Sequence, residues 1–143
     1  MAIKIILADK HRIMRQDLRR LLAAEPDLEV LAEAGSSRQT LKLVRELSPH
    51  VVVMDISMPD LQGVETIKQL QSQAPRVKVI ALSMHSDSLF VLNTLKAGAW
   101  GYLLKDCALE ELVKAVRTVA VAQKTYLSPC LSAAVVWESA RGK

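Results

Sequence analysis

Five short apolar runs alternate along the chain with longer, mixed segments. The runs consist mostly of Val, Ile, Leu and Ala, a composition typical of strands that are buried on both faces of a sheet. They span Ile3–Ala8, Leu28–Ala34, Val51–Met54, Val77–Leu82 and Trp100–Leu104, of which the second is the most mixed. The pattern therefore predicts five strands of a parallel sheet.

The segments between these runs carry apolar residues at helical spacing. The stripes are clearest in the first and last segments, at Met14, Leu18, Leu21 and Leu22 and at Leu109, Leu112, Val113, Val116 and Val119. Segments near 37–47, 64–72 and 87–97 are similar but less regular. A repeated β-α order predicts an α/β fold, namely a flavodoxin-like, doubly wound five-stranded parallel sheet with strand order 2-1-3-4-5 and helices on both faces.

The length of the chain indicates a single domain, because 143 residues and 15.8 kDa leave little material for a second one. We assign residues 1–124 to this domain and residues 125–143 to a linker or extra helix. A helix is predicted to begin at Ser128-Pro129, since a capping hydroxyl followed by proline is a typical helix start. We expect this segment to lead toward a further domain that is absent from the chain.

Composition and charge exclude several classes of protein. Cys107 and Cys130 provide neither a disulfide framework nor a zinc site. No apolar run approaches the length of a membrane span, and the N-terminus lacks a secretory pattern, so we expect a cytoplasmic protein without membrane contact. The net charge of +4 is dispersed, and the aromatic residues are only two Trp, two Tyr and one Phe. Direct DNA binding by this chain is therefore disfavoured.

Polar residues close four of the predicted strands. Asp9, Asp55, Ser83 and Lys105 follow the first, third, fourth and fifth strands, and in such sheets ligands bind at this carboxyl edge. The first and third strands flank the switch in strand order, so Asp9 and Asp55 should face each other. A carboxylate can attack phosphorus, an ammonium and a hydroxyl can hold the transferred oxygens, and carboxylates suit magnesium. Each residue alone is only a polar strand end, but together they favour a phosphoryl site.

Four segments carry a resemblance to a known family: Ile-Ile-Leu-Ala-Asp9, Asp55-Ile-Ser-Met-Pro59-Asp-Leu-Gln-Gly63, Ala81-Leu82-Ser83, and Ala97 to Asp106. Across residues 3–122 the chain resembles the response regulator receiver domains of two-component signalling. The Gly-Tyr-Leu-Leu-Lys-Asp run and Tyr126-Leu127-Ser128-Pro129 resemble the NarL/FixJ subfamily, in which a LuxR-type helix-turn-helix follows the receiver.

The resemblance implies a role for each matching residue. Asp55 would accept a phosphoryl group from a sensor histidine kinase, and Lys105 would pair with that group. Ser83 and Tyr102 would act as the switch. Magnesium would be held by Asp9, by Asp55 and by the backbone carbonyl of Ser57. The family also implies regulation of transcription, DNA contact only through the missing C-terminal domain, and no enzymatic turnover beyond self-phosphorylation and self-dephosphorylation.

One position departs from the family, because its acidic pair reads Asp-Asp and here it reads Asp9-Lys10. A protonated lysine cannot ligate a cation. The usual three Asp and one Lys leave two negative charges for Mg²⁺, whereas Asp9 and Asp55 are here balanced by Lys10 and Lys105. We therefore expect weak or absent magnesium binding, unless Lys10 turns out to solvent. His11, which follows, is expected to support the site rather than to ligate a metal.

The same departure leaves two other functions open. A Lys10–Asp55 ion pair would stand in for the metal and lock a pseudo-receiver, an interaction module that is never phosphorylated. A phosphohydrolase that forms an aspartyl-phosphate is the third class. Such enzymes need a second Asp near the nucleophile as acid and base, and Ser57 occupies that position here.

Trp100 is a candidate for an interface. If the fifth strand is at the edge of the sheet, alternation places Trp100, Tyr102 and Leu104 on one face of it. An exposed Trp there would anchor a second copy of the chain, since Trp is enriched at interface hot spots. We therefore expect a symmetric homodimer through this face, coupled to Tyr102. The alternative is a Trp packed against its own helix.

Overall fold

A computed structural model describes residues 2–58, 63–129 and 131. Its centre is a parallel sheet in the order β2-β1-β3-β4-β5-β6. The strands are β1 Ile3–Ala8, β2 Leu28–Ala34, β3 Val51–Asp55, β4 Lys78–Ser83, β5 Gly101–Leu104 and β6 Tyr126–Leu127. The predicted doubly wound fold and the order of its first five strands are confirmed, and a sixth, short strand extends the sheet.

Five helices cover the two faces of the sheet. They are α1 Arg12–Ala23, α2 Ser37–Leu47, α3 Gly63–Gln73, α4 Ser88–Lys96 and α5 Ala108–Ala120, the last preceded by a 3-10 turn at Lys105–Cys107. Apolar residues of α1 and α5 pack on one face of the sheet, and those of α2, α3 and α4 pack on the other. Along β1, Ile5 and Leu7 point to the first layer, and Ile6 and Ala8 to the second. Apart from polar residues near their ends, the central strands are apolar because both of their faces are covered.

The sixth strand lies in the segment that the sequence assigns to a linker, and it pairs with β5. Tyr126 N donates to Trp100 O and Ser128 N donates to Tyr102 O, both at 3.0 Å. The expectation that β5 is an edge strand is therefore wrong. A strand of two residues has no hydrophobic period, so the sequence pattern contains no sign of it. The helix predicted from Ser128-Pro129 falls on residues 130 and 132–143, which lie outside the described residues.

The loop after β3 is held close to the sheet. Ile56 N donates to Leu82 O at 3.1 Å, and α3 begins at Gly63, where an added Cβ would collide with the backbone and side chain of Ile56. Gly63 is therefore required by the close approach of two backbone segments. Among the described residues, no helix has both the length and the apolar character needed to cross a membrane.

Candidate functional site

The four predicted strand-end residues meet at the carboxyl edge of the sheet. Asp9 follows β1, Asp55 and Ser83 close β3 and β4, and Lys105 follows β5. The carboxylates of Asp9 and Asp55 are fully buried, and the Lys105 side chain is only 8% exposed. The sheet brings them together because the ends of neighbouring parallel strands lie at one edge.

Lys105 lies between the two carboxylates. Its Nζ is 3.1 Å from Asp9 Oδ2 and 3.0 Å from Asp55 Oδ2. In the part of the chain that the structure describes, these two oxygens are at ion-pair distance from the ammonium but make no hydrogen bond. Buried carboxylate oxygens are normally hydrogen-bonded, so this pair is incompletely satisfied. These two oxygens therefore have Lys105 as an ion-pair partner and keep lone pairs that could bind another group.

The other oxygen of Asp55 is fully engaged. Asp55 Oδ1 accepts from Ser57 N at 2.9 Å and from Ser57 Oγ at 2.6 Å. Burial acts to raise the pKa of Asp55, but the bonds from Ser57 and the charge of Lys105 outweigh it and hold the pKa below its ordinary value. Asp55 is therefore an anion at neutral pH, with Oδ1 held and Oδ2 directed toward Lys105.

Asp9 is fixed by His11, which the sequence analysis expected to support the site, and by Arg15, which it did not identify. Asp9 Oδ1 accepts from His11 N at 2.8 Å, and Arg15 Nη1 donates to Asp9 O at 2.7 Å. Arg15 Nε and Arg19 Nη1 also donate to the two carboxylate oxygens of Glu33, at 2.9 and 2.5 Å. Burial would raise the pKa of Glu33, but these arginines keep it below its ordinary value. Glu33 lies near the end of β2, and that position was the only signal for this cluster.

Lys10 is exposed, and it points neither to bulk solvent nor to Asp55. Its Nζ donates to Ser57 O at 3.0 Å. The predicted Lys10–Asp55 ion pair is therefore wrong, because the cation that contacts Asp55 is Lys105. The lysine stem is long enough to cross to the loop after β3, and the sequence pattern cannot predict which acceptor it reaches.

The donor set only partly suits magnesium, which receiver domains generally bind. Asp9, His11 and Asp55 offer ligand atoms within 4.8 Å of one another, and this cluster could hold a metal ion. The two incompletely satisfied oxygens, Asp9 Oδ2 and Asp55 Oδ2, suit a hard cation. The Ser57 carbonyl does not, because an ammonium already occupies it. The residues therefore do not form a complete magnesium site of the usual charge.

The hydroxyl of Ser83 is linked to Tyr102 through one backbone segment. Ser83 Oγ accepts from His85 N at 3.0 Å, and Tyr102 OH donates to His85 O at 2.7 Å. The Tyr102 ring is fully buried. Burial raises the pKa of Tyr102 to about 12, so the hydroxyl remains a donor at neutral pH. The predicted switch residues thus share His85, which the sequence analysis did not single out.

Trp100 lies away from these residues. It precedes β5 and packs against the layer of α1 and α5, whereas Tyr102 packs in the layer of α2, α3 and α4. The expected common face is therefore wrong, because alternation was counted from a residue that precedes the strand. Lys78 Nζ lies 4.6 Å from the centre of the half-buried Trp100 ring. Trp100 therefore packs within its own chain and is half-buried there.

Comparisons with known proteins agree with this geometry. The sequence pattern of the response regulator receiver domain matches residues 5–117. The chain is 42% identical over 118 residues to the transcriptional regulatory protein DegU of Brevibacillus brevis, covering 82% of this chain and 50% of that protein. It is 36% identical over 137 residues to the response regulator GacA of Pseudomonas protegens, covering 96% of this chain and 64% of that protein. The chain thus spans between half and two thirds of the length of these relatives.

Solved structures give the same picture. The chain is similar to the crystal structure of a two-component response regulator of the LuxR family from an Aurantimonas species, with a TM-score of 0.89 and 31% identity, covering 98% of this chain and 99% of that one. It is also similar to the signal receiver domain of the response regulator NarL from Mycobacterium tuberculosis, with a TM-score of 0.79 and 29% identity, covering 83% and 96% of the two chains.

Proposed function

The chain belongs to the response regulator receiver domain family, and on that premise we propose that it accepts a phosphoryl group on Asp55 from a sensor histidine kinase. The observation that carries the proposal is the asymmetry of Asp55. Oδ1 is held by Ser57, while Oδ2 has no hydrogen bond among the described residues and faces Lys105. A carboxylate fixed in this way is preorganised for attack through one oxygen.

The transfer forms a bond between Asp55 Oδ2 and phosphorus while the bond from phosphorus to the histidine nitrogen of the kinase breaks. The electron pair of that bond stays on the nitrogen, and Asp55 becomes an acyl phosphate. Lys105 Nζ, 3.0 Å from Oδ2, is placed to bind an oxygen of the arriving group. Ser83, whose hydroxyl can donate while it accepts from His85, would bind another.

The experiment is incubation of the chain with acetyl phosphate, followed by intact-mass and peptide mass spectrometry. We expect one added phosphoryl group on Asp55 and complete loss of labelling in Asp55→Asn. Asp27→Asn, which alters a carboxylate far from the carboxyl edge, is the matched control and should label normally. Labelling that persists in Asp55→Asn would contradict the proposal.

We propose that magnesium binds weakly and that Lys10 supplies part of the positive charge that the ion provides elsewhere in the family. Bound magnesium contributes positive charge beside the phosphoryl oxygens. Here Lys10 Nζ already lies on the Ser57 carbonyl, and Lys105 Nζ lies between Asp9 and Asp55. A divalent ion would have to displace one ammonium and approach the other.

The Lys10–Ser57 contact also favours a second candidate function. A lysine that holds the loop after β3 could keep the domain in one state, as a phosphorylation-independent pseudo-receiver. The labelling experiment separates the two candidates when Lys10→Asp is included. If the chain is a pseudo-receiver, the unsubstituted chain should not be labelled with or without magnesium. If it is a phosphoacceptor, both the unsubstituted chain and Lys10→Asp should be labelled.

The proposed output is transcription. The relatives DegU and GacA are a transcriptional regulatory protein and a response regulator, and the chain covers only part of each. We propose that the chain belongs to the NarL/FixJ subfamily and acts as a homodimer in the cytoplasm. We also propose that it regulates transcription through a DNA-binding C-terminal domain of the full-length protein. We propose no turnover of external phosphate esters, since Ser57 replaces the second acidic residue that such turnover needs.

A further inference from the structure

The chain's own outgoing segment, Tyr126–Ser128, pairs with the outer edge of β5, and we propose that this attachment is coupled to the position of Tyr102. We call Tyr126–Ser128 the docking strand. The inference rests on the proposed function only for its natural trigger, the phosphorylation of Asp55. The docking itself and its coupling to Tyr102 are properties of the unmodified chain.

The docking strand is attached to β5 through the backbone of the switch residue. Ser128 N donates to Tyr102 O and Tyr126 N donates to Trp100 O, each at 3.0 Å. The register pairs only Gly101 with Tyr126 and Tyr102 with Leu127, whereas β1 and β3 pair from Ile5 to Ala8. The last strand of the sheet is therefore held by the shortest ladder, and local opening begins at such weakly held elements.

Side chains of the docking strand are anchored on α5 by one carboxylate. Glu111 Oε1 accepts from Tyr126 OH at 3.0 Å, and the two oxygens of Glu111 accept from Ser128 Oγ at 3.1 and 3.0 Å. Ser128 is fully buried and Tyr126 is 9% exposed. Undocking would expose these hydroxyls and leave Glu111 to water, so the attachment is specific as well as short.

A continuous series of contacts joins this anchor to the phosphoacceptor edge. Ser83 Oγ accepts from His85 N, and His85 O accepts from Tyr102 OH. Tyr102 O then accepts from Ser128 N, and Ser128 Oγ donates to Glu111. Tyr102 thus contacts the site through its side chain and the docking strand through its backbone. A shift of the Tyr102 backbone therefore changes both contacts.

The direction of the coupling rests on the proposed binding of Ser83 to the phosphoryl group. When its hydroxyl turns to the phosphoryl group, the His85 segment shifts and Tyr102 OH loses its acceptor. Loss of that bond frees the Tyr102 backbone to shift, which weakens the Ser128 N to Tyr102 O bond and loosens the docking strand. Because the chain continues from Ser128 toward the following residues, release of this strand changes how that chain leaves the domain.

The first test measures hydrogen–deuterium exchange of single amides in the unphosphorylated 143-residue chain and its variants. Tyr126→Phe/Ser128→Ala removes both hydroxyls that bind Glu111 and keeps the backbone donors. We expect the amides of Tyr126 and Ser128 to exchange at least about tenfold faster, with the amides of β3 unchanged. Thr118→Ala removes an α5 hydroxyl that bonds within its own helix and is the matched control. Equal exchange in the double variant and the control would overturn the role of Glu111 in holding the docking strand.

The second test addresses the coupling. Tyr102→Phe removes only the hydroxyl that binds His85 O, and we expect exchange of the Ser128 amide to rise several-fold relative to β3. An unchanged Ser128 amide would overturn the coupling, whatever happens at Asp55. Acetyl phosphate then provides the natural trigger. Labelled Asp55 with unchanged Ser128 exchange would overturn the trigger and leave the proposed function intact. Unlabelled Asp55 would count against the proposed function, while the Tyr102→Phe result still decides the coupling.

Discussion

The two ends of the sheet each gather two carboxylates around one cation, and they do so in opposite ways. At the carboxyl end, Asp9, Asp55 and Lys105 are almost completely buried, and two carboxylate oxygens lack hydrogen bonds among the described residues. At the amino end, Arg117 is 43% exposed and donates to Asp27 at 2.9 and 2.8 Å and to Glu25 at 2.6 Å.

The difference separates a cluster that suits stability from one that suits chemistry. The Arg117 cluster ties α5 to the turn before β2, with directed hydrogen bonds and little loss of hydration. The Lys105 cluster removes three charges from water and leaves oxygens incompletely satisfied, which is a poor way to stabilise a fold. A buried and incompletely bonded cluster persists where those oxygens are needed for something else.

The largest expected effect comes from removing the cation at each end. Lys105→Met leaves two buried carboxylates facing each other, and we expect it to lower the free energy of unfolding by about 3 kcal/mol or more. Arg117→Met should cost much less, because water replaces the lost partner. Urea unfolding at pH 7 measures both. Adding Asp55→Asn to Lys105→Met should restore part of the loss, and equal costs at the two ends would break the comparison.

Magnesium affinity gives the next effect. Lys10→Asp exchanges a positive for a negative charge beside the Ser57 carbonyl, and a single charge pair at contact distance is worth about 4 kcal/mol at an effective dielectric of about 20. We expect magnesium to bind at least about tenfold more tightly by calorimetry. Lys124→Asp makes the same charge change at an exposed, distant position and should have no effect. Equal affinity in all three proteins would mean that Lys10 does not oppose the ion.

Acid sensitivity should distinguish the two ends by its salt dependence. The pKa of Asp55 and the pKa of Asp27 are both below their ordinary values, the first through Ser57 and Lys105 against the effect of burial, the second through Arg117. Each carboxylate therefore stabilises the fold above the unfolded pKa near 3.8 and loses this contribution as the pH falls through the folded pKa.

Urea unfolding between pH 2 and 6, in low salt and in about 1 M NaCl, measures this difference. Salt should remove most of the pH-dependent contribution to the free energy of unfolding that Asp27→Asn abolishes, since that cluster is exposed. The contribution that Asp55→Asn abolishes should persist in high salt. The reverse result would show that the Asp55 cluster is as open to ions as the Arg117 cluster.

The smallest effect is expected at Trp100, at the amino end. The ring already packs in the layer of α1 and α5 and lies under Lys78, so little of its surface is left for a second copy of the chain. Trp100→Ala should weaken self-association only a few-fold by sedimentation. Complete conversion to a folded monomer would make Trp100 the anchor of the dimer. Loss of the folded state would make it a core residue.

The sequence predicts most of the carboxyl end because polar residues that close buried strands are conspicuous. Asp9, Asp55, Ser83 and Lys105 lie at the predicted edge for that reason. The target of Lys10 could not be predicted, since a flexible side chain reaches several acceptors. The clusters of Arg15 with Glu33 and of Arg117 with Asp27 join distant parts of the chain, and no local pattern reports such pairs. Trp100 was assigned to the wrong face because the strand begins one residue later.

The position of the docking strand has a practical consequence for where the domain is cut. A protein ending at the predicted boundary of residue 124 lacks Tyr126–Leu127, so the carbonyls of Trp100 and Tyr102 lose the amides that cover them. An uncovered strand edge is a template for pairing with another chain, through strand exchange or aggregation. Oligomers of such a shortened domain would report the missing strand rather than signalling, and a chain that extends past Leu131 avoids the artefact.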